Sequence, residues 1–198
     1  MKNIISIAIA TIVFASCNNA DNKSTENKSA QPTSGEIDKK MDEVTSKNKD
    51  TNISIVSITE ILSGYLKMKN AFAKDNDKDA AAAGNEMVKA FTRFNKAALT
   101  PDQAKIYNDI EDDAREHAEH IGSNAGNIKH QREHFDMLSK DIYQLVKTFG
   151  GGQKLYYDHC PMYNDGKGAN WLSETKDIAN PYLGKSMPTC GTVKEELK

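Results

Sequence analysis

The sequence predicts an all-α protein, an antiparallel four-helix bundle with a loop-rich C-terminal cap that can contain a short β-hairpin. Two observations predict this fold class. Apolar residues recur at helical spacing in four segments between residues 53 and 149, and the connections between these segments are short. After residue 150 this spacing stops, and glycine, proline and asparagine become frequent. We therefore expect residues 52–149 and 150–198 to form one domain, in which the second segment packs on the first.

Apolar spacing alone predicts the first two helices. In the first, isoleucine, leucine, tyrosine and phenylalanine follow helical spacing from Ile55 to Phe72. The polar run at residues 75–79, Asp-Asn-Asp-Lys-Asp, then forms a connector. The second helix carries its apolar residues from Ala80 to Leu99. Because the connector is short, we expect the two helices to be antiparallel neighbours.

The third and fourth helices have explicit start and stop signals. Residues 100–103, Thr-Pro-Asp-Gln, form a capping box with proline at the first helical position. The helix that begins there carries apolar residues to Ile121 and stops at Gly122. A fourth helix extends from Ile128 to Phe149, where three consecutive glycines end it. These segments complete the predicted bundle.

The cap is predicted from turn-forming residues and a few large apolar ones. Leu155 to His159 form a candidate short strand, and no long helix is expected between residues 150 and 190. Trp171, Tyr182 and Leu183 are the side chains expected to pack on the helices.

The N-terminus has the pattern of a bacterial lipoprotein signal. One lysine precedes an apolar run from Ile4 to Phe14, which is too short to cross a bilayer as a helix. Two small residues then precede Cys17, which resembles a bacterial lipobox. We expect residues 1–16 to be a signal peptide, Cys17 to be lipidated and residues 17–51 to be a disordered tether. The alternative is a plain secretory signal in which Cys17 is incidental.

Composition excludes several classes of function. The 198 residues include 26 Lys+Arg and 28 Asp+Glu, for a formal net charge of -2, so the basic excess of a nucleic-acid-binding protein is absent. Three cysteines are too few for a disulfide-dense scaffold. The sequence contains neither a glycine-rich phosphate loop nor a hydrolase nucleophile elbow, and we predict no enzyme and no catalytic residues.

The two cysteines of the cap each stand close to a methionine. Cys160 and Met162 form a Cys-x-Met pair, and Met187 and Cys190 form a Met-x-x-Cys pair. A set of thiolate and thioether donors suits a soft, polarizable ion, above all Cu(I). Zinc would favour cysteine and histidine without thioethers. The spacing therefore predicts a soft-metal site that uses these four residues.

Four of the five histidines fall on the third and fourth predicted helices. His117 and His120 are three residues apart, and His130 and His134 are four apart, so each pair shares a helix face. Neither pair has the Glu-x-x-His pattern of a di-iron bundle, and each pair alone is predicted to be structural or solvated. His134 could still point to the cap and give the sulfur set a nitrogen ligand, or instead bond to a backbone carbonyl. His159, next to the first cysteine of the cap, is another candidate donor, and His120 is a weaker one.

Four short motifs occur together in the C-terminal segment: Cys-Pro-Met at 160–162, Trp-Leu-Ser at 171–173, Asn-Pro-Tyr at 180–182 and Met-Pro-Thr-Cys-Gly at 187–191. With them the chain resembles a domain-of-unknown-function family of envelope proteins. That family occurs as small lipoproteins and as the C-terminal domain of periplasmic adaptor subunits of heavy-metal efflux pumps. The resemblance extends upstream to Tyr65. It implies metal handling, with copper as the favoured metal.

The expected protein is thus lipid-anchored in the bacterial cell envelope, in the outer membrane and facing the periplasm. It would bind Cu(I) or another soft ion for buffering, delivery or efflux. Its expected partners are the membrane, through the N-terminal lipid, and heavy-metal efflux or copper-trafficking proteins. The alternative is a structural or interaction module without metal, closed by a Cys160–Cys190 disulfide whose loop would contribute about 3.5 kcal/mol.

Overall fold

The computed structural model describes residues 42–198, and it describes side chains from residue 58 onward. The predicted signal peptide at residues 1–16, the lipidated Cys17 and the predicted tether as far as residue 41 lie outside the described residues. The described part is mostly helical, as predicted. It consists of four long helices followed by a small three-stranded antiparallel sheet.

The long helices pack in chain order: α1 contacts α2, α2 contacts α3, α3 contacts α4, and α4 returns to α1. Their apolar faces form one buried core, to which the sheet adds Leu155, Trp171 and Leu172. None of the helices among the described residues has the length and apolarity needed to cross a bilayer. The helix bounds are α1 Asp42–Ala73, α2 Asp77–Arg93, α3 Pro101–Ser123 and α4 Ile128–Phe149.

The boundaries that rested on capping signals are confirmed. The Thr100 side chain accepts a hydrogen bond from the Gln103 backbone N–H at 3.3 Å, and the Gln103 side chain accepts one from the Thr100 N–H at 3.1 Å. This reciprocal pair satisfies two N–H groups that a helix start leaves open. Helix α4 ends at Phe149, and Gly150 follows with a φ of 78°, a left-handed conformation that favours glycine.

The boundaries that rested on apolar spacing alone differ from the prediction. Helix α1 begins at Asp42, so residues 42–51 are helical rather than part of a tether. No glycine or proline interrupts the chain there, and a helix nucleated by the buried segment can propagate. Helix α2 ends at Arg93 instead of reaching Leu99. The Asn95 side chain accepts from the Ala97 N–H at 3.1 Å and starts a separate 3-10 turn.

The cap is a sheet of three strands: β1 Leu155–Cys160, β2 Ala169–Ser173 and β3 Thr192–Leu197. Strand β1 lies in the centre and pairs antiparallel with both neighbours. Strands β1 and β2 form the short hairpin that the sequence allowed, whereas β3 was not predicted. Its residues, Thr-Val-Lys-Glu-Glu-Leu, are largely polar because one edge of the sheet stays open to solvent.

Buried hydroxyl groups connect the helices to the sheet. The Tyr65 hydroxyl on α1 lies 2.8 Å from Ser139 Oγ on α4 and accepts the Leu172 backbone N–H of β2 at 3.0 Å. The Tyr182 hydroxyl donates to the Asn170 carbonyl at 2.6 Å and lies 3.3 Å from Ser139 Oγ. These hydroxyl groups are buried away from water, so each hydrogen bond also avoids the free-energy cost of an unpaired buried polar atom.

Arg132 on α4 makes a second connection at the end of α1. It donates to the Phe72 carbonyl and to the Pro181 carbonyl, each at 2.7 Å, and it pairs with Asp75 at 2.6 Å. The guanidinium hydrogen bond lowers the pKa of Asp75. One side chain therefore joins two helices to the Asn-Pro-Tyr segment of the cap.

The Tyr65→Phe substitution should lower the free energy of unfolding by about 1–3 kcal/mol, because the buried Leu172 N–H and Ser139 hydroxyl each lose a partner. Urea unfolding followed by circular dichroism measures this loss. Tyr143→Phe is the matched control: its hydroxyl donates to Glu195 at a part-buried site, and its removal should cost about 1 kcal/mol or less. An equally small loss in both variants would contradict the assigned role of Tyr65.

Asp141 on α4 gives the fold a pH dependence. Burial raises its pKa from the ordinary 3.8 to about 6, and the nearby Asp113 carboxylate adds to the shift. The folded state therefore disfavours the ionised form of Asp141. The protonated form does not destabilise the fold below pH 4, but ionisation lowers the free energy of unfolding as the pH rises through about 6.

Asp141→Asn should remove this loss. We expect a gain in the free energy of unfolding of about 1–2 kcal/mol at pH 8, after allowance for partial exposure, and almost no change near pH 3.5. Urea titrations at several pH values measure the difference. Asp112→Asn, at a side chain that is 88% exposed, is the matched control. A pH-independent effect of Asp141→Asn would refute the assignment.

Candidate metal centre

The fold brings Cys160 and Cys190 together although 30 residues separate them in the chain. Cys160 is the last residue of β1, and Thr192, the first residue of β3, pairs with His159. This register places the residues before β3 beside the end of β1. The two sulfurs lie 2.6 Å apart. The structure thus places the two cysteines of the predicted site side by side.

The two sulfurs differ in their access to solvent. Cys160 is fully buried, and Cys190 is partly exposed. Gly191 follows with its Cα against the Trp171 ring, so a side chain at this position would lie 2.7 Å from that ring. The pair therefore stands at the edge of the core, with Cys190 on the outer side.

Asn180 holds the loop that carries Cys190. Its buried side chain donates to the Cys190 carbonyl at 2.6 Å and accepts the Tyr182 and Leu183 N–H groups at 2.8 and 2.9 Å. Its own N–H donates to the Pro188 carbonyl at 2.8 Å. The asparagine of the Asn-Pro-Tyr motif thus has a structural role, because it holds the backbone of the Met187–Gly191 segment in place.

Met162 and Met187 flank Cys190 at the surface. The Cys190 N–H donates to the Met187 carbonyl at 3.2 Å, and the Met162 backbone amide bonds to the Cys190 sulfur. Both methionine residues are well exposed, at 58% and 43%. Both methionines are therefore exposed residues whose backbone contacts Cys190.

The Cys190 thiol keeps its proton at neutral pH. A hydrogen bond with Cys160 raises the pKa of the Cys190 thiol, burial raises it further, and the Met162 amide opposes the shift. A metal ion would have to displace a proton to bind this sulfur as a thiolate.

His159 does not share the face of Cys160. Neighbouring residues of a strand point to opposite sides of a sheet. The His159 ring accordingly lies against Gly168, and its Nδ1 is 2.9 Å from the Asn170 Oδ1 of β2. The structure therefore gives His159 a partner in the sheet and not a place in the sulfur set.

His134 faces α3 and not the cap, which corrects the expectation from its position in the apolar stripe. Its Nδ1 lies 3.2 Å from the Nδ1 of His117, and its ring stacks on His120 with centroids 4.2 Å apart. Burial, together with the neighbouring histidines His120, His130 and His117, lowers the pKa of His134 to about 4. His134 thus belongs to a group of imidazoles between α3 and α4.

The sequence did not lead us to predict that these histidines lie together. Within the described side chains, His120, His130 and His134 form the one set of three His, Cys, Asp or Glu residues with ligand atoms all within 4.8 Å of one another. A signal for it existed. The two histidine pairs lie at similar distances on either side of the short connection at residues 124–127, so an antiparallel pair of helices must bring them level.

Comparison with known proteins gives one match. Residues 61–154 match the model of a family described as a protein of unknown function, DUF3347. No curated protein and no solved structure matches the chain. The matched segment includes the four histidines of α3 and α4 and ends one residue before β1, so it does not extend to the cysteine and methionine motifs of the cap. The chain is therefore similar to this family over residues 61–154.

Proposed function

We propose that this protein binds Cu(I), or another soft metal ion, through the thiolates of Cys160 and Cys190. The observation that carries the proposal is the meeting of these two sulfurs, 2.6 Å apart, from positions 30 residues apart in the chain. Thiolate sulfur is the donor that favours Cu(I) over harder ions. Met162 and Met187 supply thioethers on the solvent side of the pair.

Binding an ion requires a small opening of the pair. Two thiolates on one ion, each at the usual bond length of about 2.3 Å, stand about 3.8 Å apart at a tetrahedral angle. Cys160 is fixed in the central strand, and Asn180 holds the backbone of Cys190, so the displacement of about 1 Å falls to the partly exposed Cys190 side chain. Pro161 and Pro188 limit the freedom of the flanking backbone and lower the entropy lost on closing the site.

The site suits transfer of an ion better than permanent storage. The exposed thioethers can contact an incoming ion before the partly buried thiolates do, and they can release it to another donor set. The role we propose is buffering, delivery or efflux of the metal, with heavy-metal efflux or copper-trafficking proteins as partners. In this proposal the four helices form an antiparallel bundle, and lipid on Cys17 anchors the protein to the outer membrane, facing the periplasm.

A second candidate function is a structural or interaction module of an envelope complex, closed by a Cys160–Cys190 disulfide. The short separation of the sulfurs favours it, because 2.6 Å is less than two ligands of one ion require. A disulfide across this loop would add about 3.5 kcal/mol of stability in the chain-entropy model. An oxidising envelope compartment would allow the bond to form.

Anaerobic Cu(I) titration of the reduced protein, with a chromophoric chelator as competitor, tests the first function. We expect one equivalent to bind, with a loss of roughly 100-fold in affinity for Cys160→Ser and roughly tenfold for Met162→Leu or Met187→Leu. Met137→Leu is the matched control, since Met137 is an exposed methionine on α4 and should not affect binding.

Alkylation of the isolated protein without reductant, followed by intact mass measurement, separates the two functions. Two alkylated cap cysteines and copper retained through gel filtration support the metal site. No free thiol, together with no Cu(I) uptake after reduction, would contradict it and leave the disulfide-closed module.

A further inference from the structure

A second set of donors lies between α3 and α4, apart from the sulfur pair. His120, His130 and His134 each bring a ring nitrogen within 4.8 Å of the other two. The ring centroids of His130 and His134 are 4.6 Å apart, and those of His120 and His130 are 5.9 Å apart. Each of the three residues is partly exposed. The three ring nitrogens therefore lie close together at a place that an ion in solution can reach. The His120 and His134 rings are stacked in parallel, so one of them has to rotate before both nitrogens point at the same ion.

The chain below these rings is held in place by side-chain bonds. Asn124 donates to the His120 carbonyl at 2.8 Å, and Asn127 accepts from the His130 N–H at 3.3 Å, so both helix ends at the connection are capped. Buried Gln131 donates to the Ile121 carbonyl at 3.0 Å and so joins α4 to α3 between the histidines. The backbone that carries His120 and His130 is thus held in place before any ion arrives, which lowers the entropy cost of binding.

His117 fixes the ring of His134. The two Nδ1 atoms lie 3.2 Å apart, so one carries a proton that the other accepts. When His134 Nδ1 donates this proton, its Nε2 has a free lone pair for a metal. Histidine ligands in metal sites are usually oriented in this way through their second ring nitrogen.

The surroundings favour a cation of charge two. Glu116 lies 3.7 Å from the His120 ring, and Glu133 lies 3.6 Å from the His130 ring. These carboxylates are beyond hydrogen-bond distance of the imidazoles, but they place negative charge next to the point where the ring nitrogens meet. Imidazole donors suit the borderline ions Zn²⁺, Cu²⁺ and Ni²⁺.

We propose that His120, His130 and His134 bind one borderline divalent transition-metal ion, with His117 as the residue that positions His134. Metal–imidazole bonds of about 2.0–2.1 Å place two nitrogens about 3.4 Å apart at a tetrahedral angle. Binding therefore requires the His120 ring to rotate out of its stack with His134, so that both rings present a nitrogen to the ion. The fourth coordination position stays open to water. This site is additional to the function proposed above and does not depend on it, because neither cysteine belongs to the set.

Zn²⁺ and Cu²⁺ titrations of the Cys160→Ser/Cys190→Ser protein test the proposal without sulfur donors. Isothermal titration calorimetry is expected to show one equivalent of each ion bound. Replacing His130 or His134 by glutamine should weaken binding about 100-fold, and electron paramagnetic resonance of the Cu²⁺ form should show coupling to imidazole nitrogens. His159→Gln, at the fifth histidine, is the matched control and should leave the affinity unchanged.

The positioning role of His117 has its own readout. His117→Phe should keep the stoichiometry of one ion but weaken binding about tenfold, whereas a ligand variant should also change the resonance spectrum. Circular dichroism melting of each variant establishes that the helices are intact. Binding that survives the loss of both His130 and His134, or no binding tighter than about 10 μM in a folded protein, would overturn the proposal.

Discussion

The buried hydroxyl of Tyr65 is the interaction on which the arrangement of the molecule most depends. It bonds at once to α4, through Ser139, and to the backbone of β2, through the Leu172 N–H. Because all of these groups are buried, the bonds fix which part of the sheet meets which turn of the helices. Once β2 is placed, the antiparallel register sets β1 and β3 and, with them, the positions of Cys160 and Cys190.

Two donor sets of different chemistry follow from two different parts of the fold. The sulfur set depends on the sheet, where β3 returns beside the end of β1. The nitrogen set depends on the short connection between α3 and α4, which places the two histidine pairs next to each other on neighbouring helices. Sulfur donors select soft ions and imidazoles select borderline ones, so one small protein could hold ions of both kinds. The DUF3347 match covers the nitrogen set and leaves out the sulfur set.

Local signals in the sequence predicted local structure well. The capping box at Thr100 and the glycines after Phe149 gave the correct ends of α3 and α4, because these motifs satisfy backbone groups of their own helix. Strand β3 escaped prediction because an exposed edge strand has few apolar residues. The meeting of the cysteines was expected from their methionine neighbours, whereas the histidine cluster was not, since spacing along one helix does not say which helix it will face.

The central claim is that Cys160 and Cys190 hold a soft ion between them. X-ray absorption at the copper edge of the reduced, Cu(I)-loaded protein tests this claim most directly. We expect the first coordination shell of copper to consist of sulfur at about 2.3 Å, with no scattering from imidazole. A first shell made of nitrogen, with the multiple scattering typical of imidazole, would contradict it.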